Sequence, residues 1–260
     1  MKDNYIGVFD SGIGGLSTLD ELRKQLPNEN FFYFGDRKNN PYGEKTQAEL
    51  EEIVCDISDF LIHEKSAKLI IVACNTATTK CISILRKKFP EVQFIGTEPA
   101  IKLACDSGAK NILVLATPGT IASERTNSLI QENRKSDQNI MMLPCPGLAD
   151  VIEDSISRSK TEELAGLTFD ELIKIVGQNS NKIDSQIGML LGNVDTTNFD
   201  AVVLGCTHYV LIREKIANFF PNAQIIDGNA GTSRQTKKIL AENNLLSRRE
   251  QPGKVEHLYS

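Results

Sequence analysis

Nearly continuous runs of β-branched and aromatic residues alternate along this chain with stretches of helical periodicity. That alternation is the pattern of parallel strands buried on both faces by helices. Residues 5–9, 30–34, 69–73, 93–95, 111–115, 139–143, 201–204 and 224–226 carry the apolar runs and are expected strands. Leu16, Leu19, Leu22 and Leu26 recur at helical spacing after the first run, and Leu50, Ile53, Ile57 and Leu61 do so before the third. The polar stretch 178–185, rich in Asn and Ser, reads as a surface loop. The predicted fold class is α/β.

A faint internal echo runs through the strand ends. Ile70-Ile71-Val72-Ala73-Cys74-Asn75-Thr76 is matched by Val202-Val203-Leu204-Gly205-Cys206-Thr207-His208, about half the chain away. Each is an apolar strand, a small residue, a cysteine and then polar hydrogen-bonding residues. The segments that open the two halves also correspond, Gly7-Val8-Phe9-Asp10-Ser11-Gly12 beside Leu113-Val114-Leu115-Ala116-Thr117-Pro118. At 260 residues, 40% of them hydrophobic, the chain has room for one large domain or two modest lobes.

Composition removes several function classes. A formal net charge of -5 argues against nucleic acid, whose binders gather Lys and Arg on one face. No apolar run approaches the ~20 residues of a membrane helix, and the apolar stretch after Met1-Lys2-Asp3-Asn4 is too short for a signal core. A cytoplasmic protein is therefore expected, with its thiols kept reduced. None of the six cysteines forms a Cys-x-x-Cys pair, and the three histidines are far apart, so no zinc-type spacing exists.

In open α/β sheets, ligands bind beyond the carboxyl ends of the strands. Asp10, Cys74, Thr117 and Cys206 fall at such ends. If two similar lobes face one another, a cysteine would stand on each wall of one cleft. Racemisation takes a proton from one face of a tetrahedral carbon and returns one to the other, so it needs two acid/base groups. Thiols suit the task, because an unperturbed cysteine titrates near about 8.5. Asp10 would assist Cys74, and His208, two residues beyond, would assist Cys206. Gly12-x-Gly14-Gly15 with Asp36 further on imitates a dinucleotide fingerprint. The position expected for its third glycine is Ser17, however, and Asp10 sets a carboxylate where a pyrophosphate would lie.

At these residues the chain resembles the glutamate racemases. Besides the Asp10-Ser11-Gly12 and Gly205-Cys206-Thr207-His208-Tyr209 segments, the resemblance includes Pro41-Tyr42-Gly43, Ala73-Cys74-Asn75-Thr76, the spaced Thr117 and Thr120, Cys145-Pro146 and Glu153. It implies two similar lobes with mainly parallel sheets and the active site in the cleft between them, the first lobe being 1–97 plus 209–260 and the second 98–208. It also implies a racemase without cofactor or metal that supplies D-glutamate for peptidoglycan, with a homodimer as the assembly. Cys74 would act on the D-enantiomer and Cys206 on the L-enantiomer, with Asp10, His208 and Glu153 assisting. Asp10, Ser11, Pro41, Tyr42, Gly43, Asn75, Thr76, Thr207 and His208 would hold the amino acid, with Thr117 and Thr120 on its carboxylate.

The chain departs from the family pattern at Arg37-Lys38-Asn39-Asn40, Ala116, Asp150 and Val210. Cys55, Cys81 and Cys105 match no catalytic motif and are expected core residues. Two other functions fit the same scaffold. One is an aspartate or broad acidic amino-acid racemase, against which His208 speaks, since an acidic residue usually follows the second Cys-Thr there. The other is a non-catalytic amino-acid-binding regulator, which would have no need of both cysteines and both helpers.

Overall fold

A computed structural model describes residues 4–156, 164, 167–178 and 180–260. Among them, strands β1 (Ile6–Asp10), β2 (Phe31–Gly35), β3 (Leu69–Val72) and β4 (Gln93–Gly96) belong to one sheet. Strands β5 (Asn111–Ala116), β6 (Asn139–Pro144), β7 (Ala201–Gly205) and β8 (Gln224–Ile226) form a second. A further strand, β9 (Val255–Tyr259), joins the first sheet beside β2. Every pairing is parallel. The fold is α/β with two parallel sheets, as the apolar runs require.

The first sheet has the order β4-β3-β1-β2-β9 and the second β6-β5-β7-β8. With β9 set aside, the two orders are the same. Each sheet opens on an inner strand, lays the next strand to one side, then places the third and fourth on the other. The order reverses between β1 and β3 in one sheet and between β5 and β7 in the other. In open α/β sheets such a reversal opens the crevice where ligands bind. Asp10 and Cys74 follow the strands at the first reversal, and Thr117 and Cys206 follow those at the second.

Strand burial explains why these segments are strands. Ile6, Val8, Ile70, Ile71, Leu113 and Val114 are wholly buried although neighbours in sequence point to opposite faces, so helices cover both sides. Complete burial of each such side chain contributes about 1.5–3 kcal/mol. The helix Gln47–His63 starts at a capping box, in which Thr46 and Glu49 satisfy each other's backbone N–H groups. Its residues Leu50, Val54, Ile57 and Leu61 pack into the core of the first sheet.

The chain divides into two compact units, Met1–Thr97 with Asn229–Ser260, and Glu98–Gly228. The return to the first unit comes at Asn229, not at 209 as expected, because β8 pairs with β7 and keeps the intervening chain in the second unit. Once back, the helix Asn229–Glu242 packs against Leu16–Gln25, with Thr18 Oγ1 donating to Asn229 Oδ1 at 2.7 Å.

Two other expectations change. The stretch 178–185 is not a loop: the helix Phe169–Gln178 ends there and Ser180–Leu191 begins, burying Ile183, Ile187 and Leu191 at helical spacing. Residue 179 lies outside the described residues. The other change is β9, a half-buried edge strand that the apolar runs did not predict. Among the described residues, no helix is long and apolar enough to cross a membrane.

Candidate active site

The chemistry-bearing residues form two clusters, one at the carboxyl end of each sheet. In the first unit, Asp10 closes β1 and is fully buried. Its Oδ2 accepts from the N–H of Gly15 at 3.0 Å and of Gly12 at 3.3 Å. The glycine-rich turn thus wraps its own carboxylate. The N–H groups that a dinucleotide loop would offer to phosphate are occupied by Asp10. Gly15 is required by close approach, since a Cβ there would lie 2.6 Å from Asp10 Cβ and 3.0 Å from the Tyr33 hydroxyl. Tyr33 in turn donates to the Gly12 carbonyl at 2.6 Å.

Cys74 is the N-cap of the helix Asn75–Lys88 and keeps the extended backbone that continues β3. Asn75 and Thr76 form the first turn of that helix, both buried, and Asn75 Nδ2 donates to the Thr97 carbonyl at 3.0 Å. Ser11 is buried beside Asp10 in sequence. Pro41 immediately precedes a 3-10 turn, Tyr42–Glu44, in which Tyr42 is buried and Gly43 half-buried. Burial pushes the Tyr42 hydroxyl well above the usual tyrosine value, and Asp36, Cys74 and Asp10 push it further. Tyr42 and Cys74 belong to the same core cluster. The described contacts of the Asp10 carboxylate are to backbone N–H groups.

In the second unit, Thr117 is the N-cap of Pro118–Ile121, where it accepts from the Thr120 N–H and donates to Thr120 Oγ1 at 3.1 Å. Cys206 follows β7 with extended backbone as the N-cap of Thr207–Val210. That short helix carries the imidazole of His208 back to the thiol, with Nδ1 3.9 Å from Cys206 Sγ. On the other side, Nε2 of His208 lies 2.8 Å from Oε2 of Glu153, the last residue of the helix Leu148–Glu153. Both side chains are 1% exposed. Burial alone would lower the imidazole, but the Cys206 sulfur and the Glu153 carboxylate together hold it well above the usual histidine value. That shift favours the protonated imidazole, whose two ring nitrogens face Glu153 and Cys206.

The backbone of Cys145 flanks the same sheet end. Its N–H donates to the Ala116 carbonyl at 2.8 Å and its carbonyl accepts from the Tyr209 hydroxyl at 3.2 Å. Burial, with Cys206 adding to it, pushes the Cys145 thiol up to about 12, and Cys81 also sits at about 12. Both remain neutral thiols near pH 7. Tyr209 and Asp36 were not singled out as site residues from the sequence. Tyr209 adjoins His208, but its partner Cys145 is 64 positions away, and no local pattern shows that pairing. Among the described residues, no group of three or more His, Cys, Asp or Glu side chains is arranged to hold a metal ion.

The fold is of the doubly wound α/β type, with a polar cluster at the carboxyl end of each sheet. Residues 20–236 match the family model described as Asp/Glu/hydantoin racemase. A glutamate racemase of Clostridium novyi (strain NT) is 38% identical over 253 residues, covering 96% of this chain and 89% of that protein. Among solved structures, a glutamate racemase isoform from Bacillus anthracis is similar with a TM-score of 0.79 and 26% identity, covering 100% of this chain and 89% of that one. The glutamate racemase of Francisella tularensis, crystallised with D-glutamate, is similar with a TM-score of 0.76 and 28% identity, at the same two coverages. The chain belongs to the Asp/Glu/hydantoin racemase family and is an amino-acid racemase.

Proposed function

We propose that the protein interconverts L- and D-glutamate without a cofactor, using Cys74 and Cys206 as paired acid and base. The observation that carries this reading is the equivalence of the two thiols. Each follows the third strand of a sheet of the same order, at a strand-order reversal, as the N-cap of a helix. The likeness to a racemase crystallised with D-glutamate supports the choice of substrate.

In the L-to-D direction, the Cys206 thiolate removes the α-proton. The C–H electron pair stays on carbon as a carbanion, and the Cys74 thiol donates its proton to the opposite face. Charge on the α-carbon is short-lived, so the two transfers must be closely matched in time and geometry. The charged His208, anchored by Glu153, places a donor at the Cys206 sulfur. Asp10 assists Cys74 in the reverse direction. Hydroxyl, amide and backbone N–H groups of Ser11, Pro41-Tyr42-Gly43, Asn75, Thr76 and Thr207 hold the zwitterion, with Thr117 and Thr120 on its carboxylate. D-glutamate made in this way would enter peptidoglycan in the cytoplasm.

Circular dichroism of L-glutamate incubated with purified protein and no added cofactor tests the proposal. The signal should decay to zero as the racemate forms. A signal that persists with folded protein contradicts it.

A further inference from the structure

Asp36, just past the end of β2, is 1% exposed and belongs to neither cysteine motif. Its carboxylate nevertheless collects four hydrogen bonds. Oδ2 accepts from the Tyr42 hydroxyl at 2.7 Å, and Oδ1 accepts from Ser260 Oγ at 2.7 Å. Asn39 Nδ2 spans both oxygens, at 2.9 Å and 3.0 Å. The N–H of Asp36 donates to the carbonyl of Asp10 itself at 2.9 Å. Ser260 is held in turn by the Lys38 N–H, which donates to its Oγ at 3.0 Å, and by its own N–H on the Gly35 carbonyl. Asp36 thus ties the loop 37–42 and the residue after β9 through its carboxylate, and the strand of Asp10 through its backbone N–H, to a single point.

Tyr42 is the strategic member of this set. Its ring packs in the same core cluster as Phe9, Cys74 and Ala77. Its hydroxyl remains a neutral donor because burial and the neighbouring negative groups oppose ionisation. The polar loop Arg37-Lys38-Asn39-Asn40 starts at a fully buried Arg37, and the Asp36 carboxylate holds it again further along, at Asn39 and Tyr42.

We propose that Asp36 is a positioning residue for racemisation, fixing the Pro41-Tyr42-Gly43 turn against Cys74 by way of the Tyr42 hydroxyl. The proposal rests on the reading of that turn and Cys74 as one wall of a glutamate site. An amide at position 36 accepts on one side only, so it cannot satisfy Tyr42, Ser260 and both contacts to Asn39 together. The loop would loosen while the thiols stay in place, and substrate binding should suffer more than proton transfer.

The test is a double-mutant cycle on glutamate racemisation. Asp36→Asn and Tyr42→Phe are each expected to raise KM about tenfold, with the smaller loss in kcat. The double variant should be no worse than the poorer single one within about twofold, since both break the same link. Ser260→Ala, which removes one arm only, should raise KM about threefold. Tm of every variant, measured alongside, separates loss of fold from loss of positioning. A wild-type KM in folded Asp36→Asn, or penalties that multiply in the double variant, would overturn the positioning role alone. Wild-type protein that leaves glutamate unchanged would overturn both this role and the glutamate reading.

Discussion

Nε2 of His208 and Oε2 of Glu153 lie 2.8 Å apart in a place where both side chains are 1% exposed. A buried ion pair of this kind is strongly destabilising to break from one side, at a cost of about 3–5 kcal/mol, because the surviving charge is left without a partner. Here the pair also orients the imidazole towards Cys206.

Its pH dependence has a definite sign. A histidine raised in the folded state stabilises the fold fully below its unfolded value of 6.5 and loses that contribution as pH rises through the folded value. Glu153→Gln removes a charge that raises His208 and should lower Tm most near about pH 6, with the gap to wild type closing as pH rises through the folded value. Thermal melts across that range check it. A gap that widens with pH would contradict the charged pair.

Thiol chemistry separates the cysteines. Cys74→Ser and Cys206→Ser should each nearly abolish racemisation, because a serine hydroxyl is far too weak an acid to supply the base near neutral pH. Cys81 and Cys145, each pushed to about 12 by burial, should resist iodoacetamide at neutral pH in the folded protein. Peptide mass spectrometry after brief alkylation reads the second point, and rapid labelling of Cys145 would refute it.

The strand-end positions of Asp10, Cys74, Thr117 and Cys206 were legible in the sequence, and what was missed follows a physical pattern. The inner strands β1, β3, β5 and β7 announce themselves because burial on both faces demands continuous apolar residues, as in Leu69-Ile70-Ile71-Val72. Val255-Glu256-His257-Leu258-Tyr259 is an edge strand with no fully buried residue, so its charged and polar residues hide it. Cys74, Cys206, Asp10 and His208 stand out because local motifs carry them. Glu153 came from resemblance, and its partner lies 55 positions away. Asp36 joins residues whose meeting depends on the parallel pairing of β2 with β9, which no short spacing encodes.

Gly15 offers a stability test away from the thiols. Alanine there would set its Cβ 2.6 Å from Asp10 Cβ, a distance real side chains do not tolerate. Gly15→Ala should cost about 1–3 kcal/mol by overpacking. It should also lower activity, because Asp10 must move. Denaturant unfolding with an unchanged m-value and a lower midpoint is the expected result. Wild-type stability would mean the turn is looser than described.

Substrate choice follows from the polar lining. One methylene in a pocket is discriminated by about 1–3 kcal/mol, or roughly 10–200-fold. If the Thr117–Thr120 pair receives the side-chain carboxylate, the shorter aspartate would fall short of it by one methylene. Glutamate should be preferred over aspartate by at least about tenfold in kcat/KM. Parallel assays at subsaturating concentration decide this. Equal turnover would move the assignment to a broad acidic amino-acid racemase.

Racemisation of L-glutamate in heavy water tests the two-thiol mechanism most directly. If one thiol removes the α-proton and the other delivers a solvent-derived deuteron to the opposite face, D-glutamate formed early should carry α-deuterium. The remaining L-glutamate should carry almost none. Chiral separation followed by mass spectrometry in the first few per cent of turnover measures both pools. Equal early deuteration of substrate and product would mean that one base serves both faces, and the paired roles of Cys74 and Cys206 would fall.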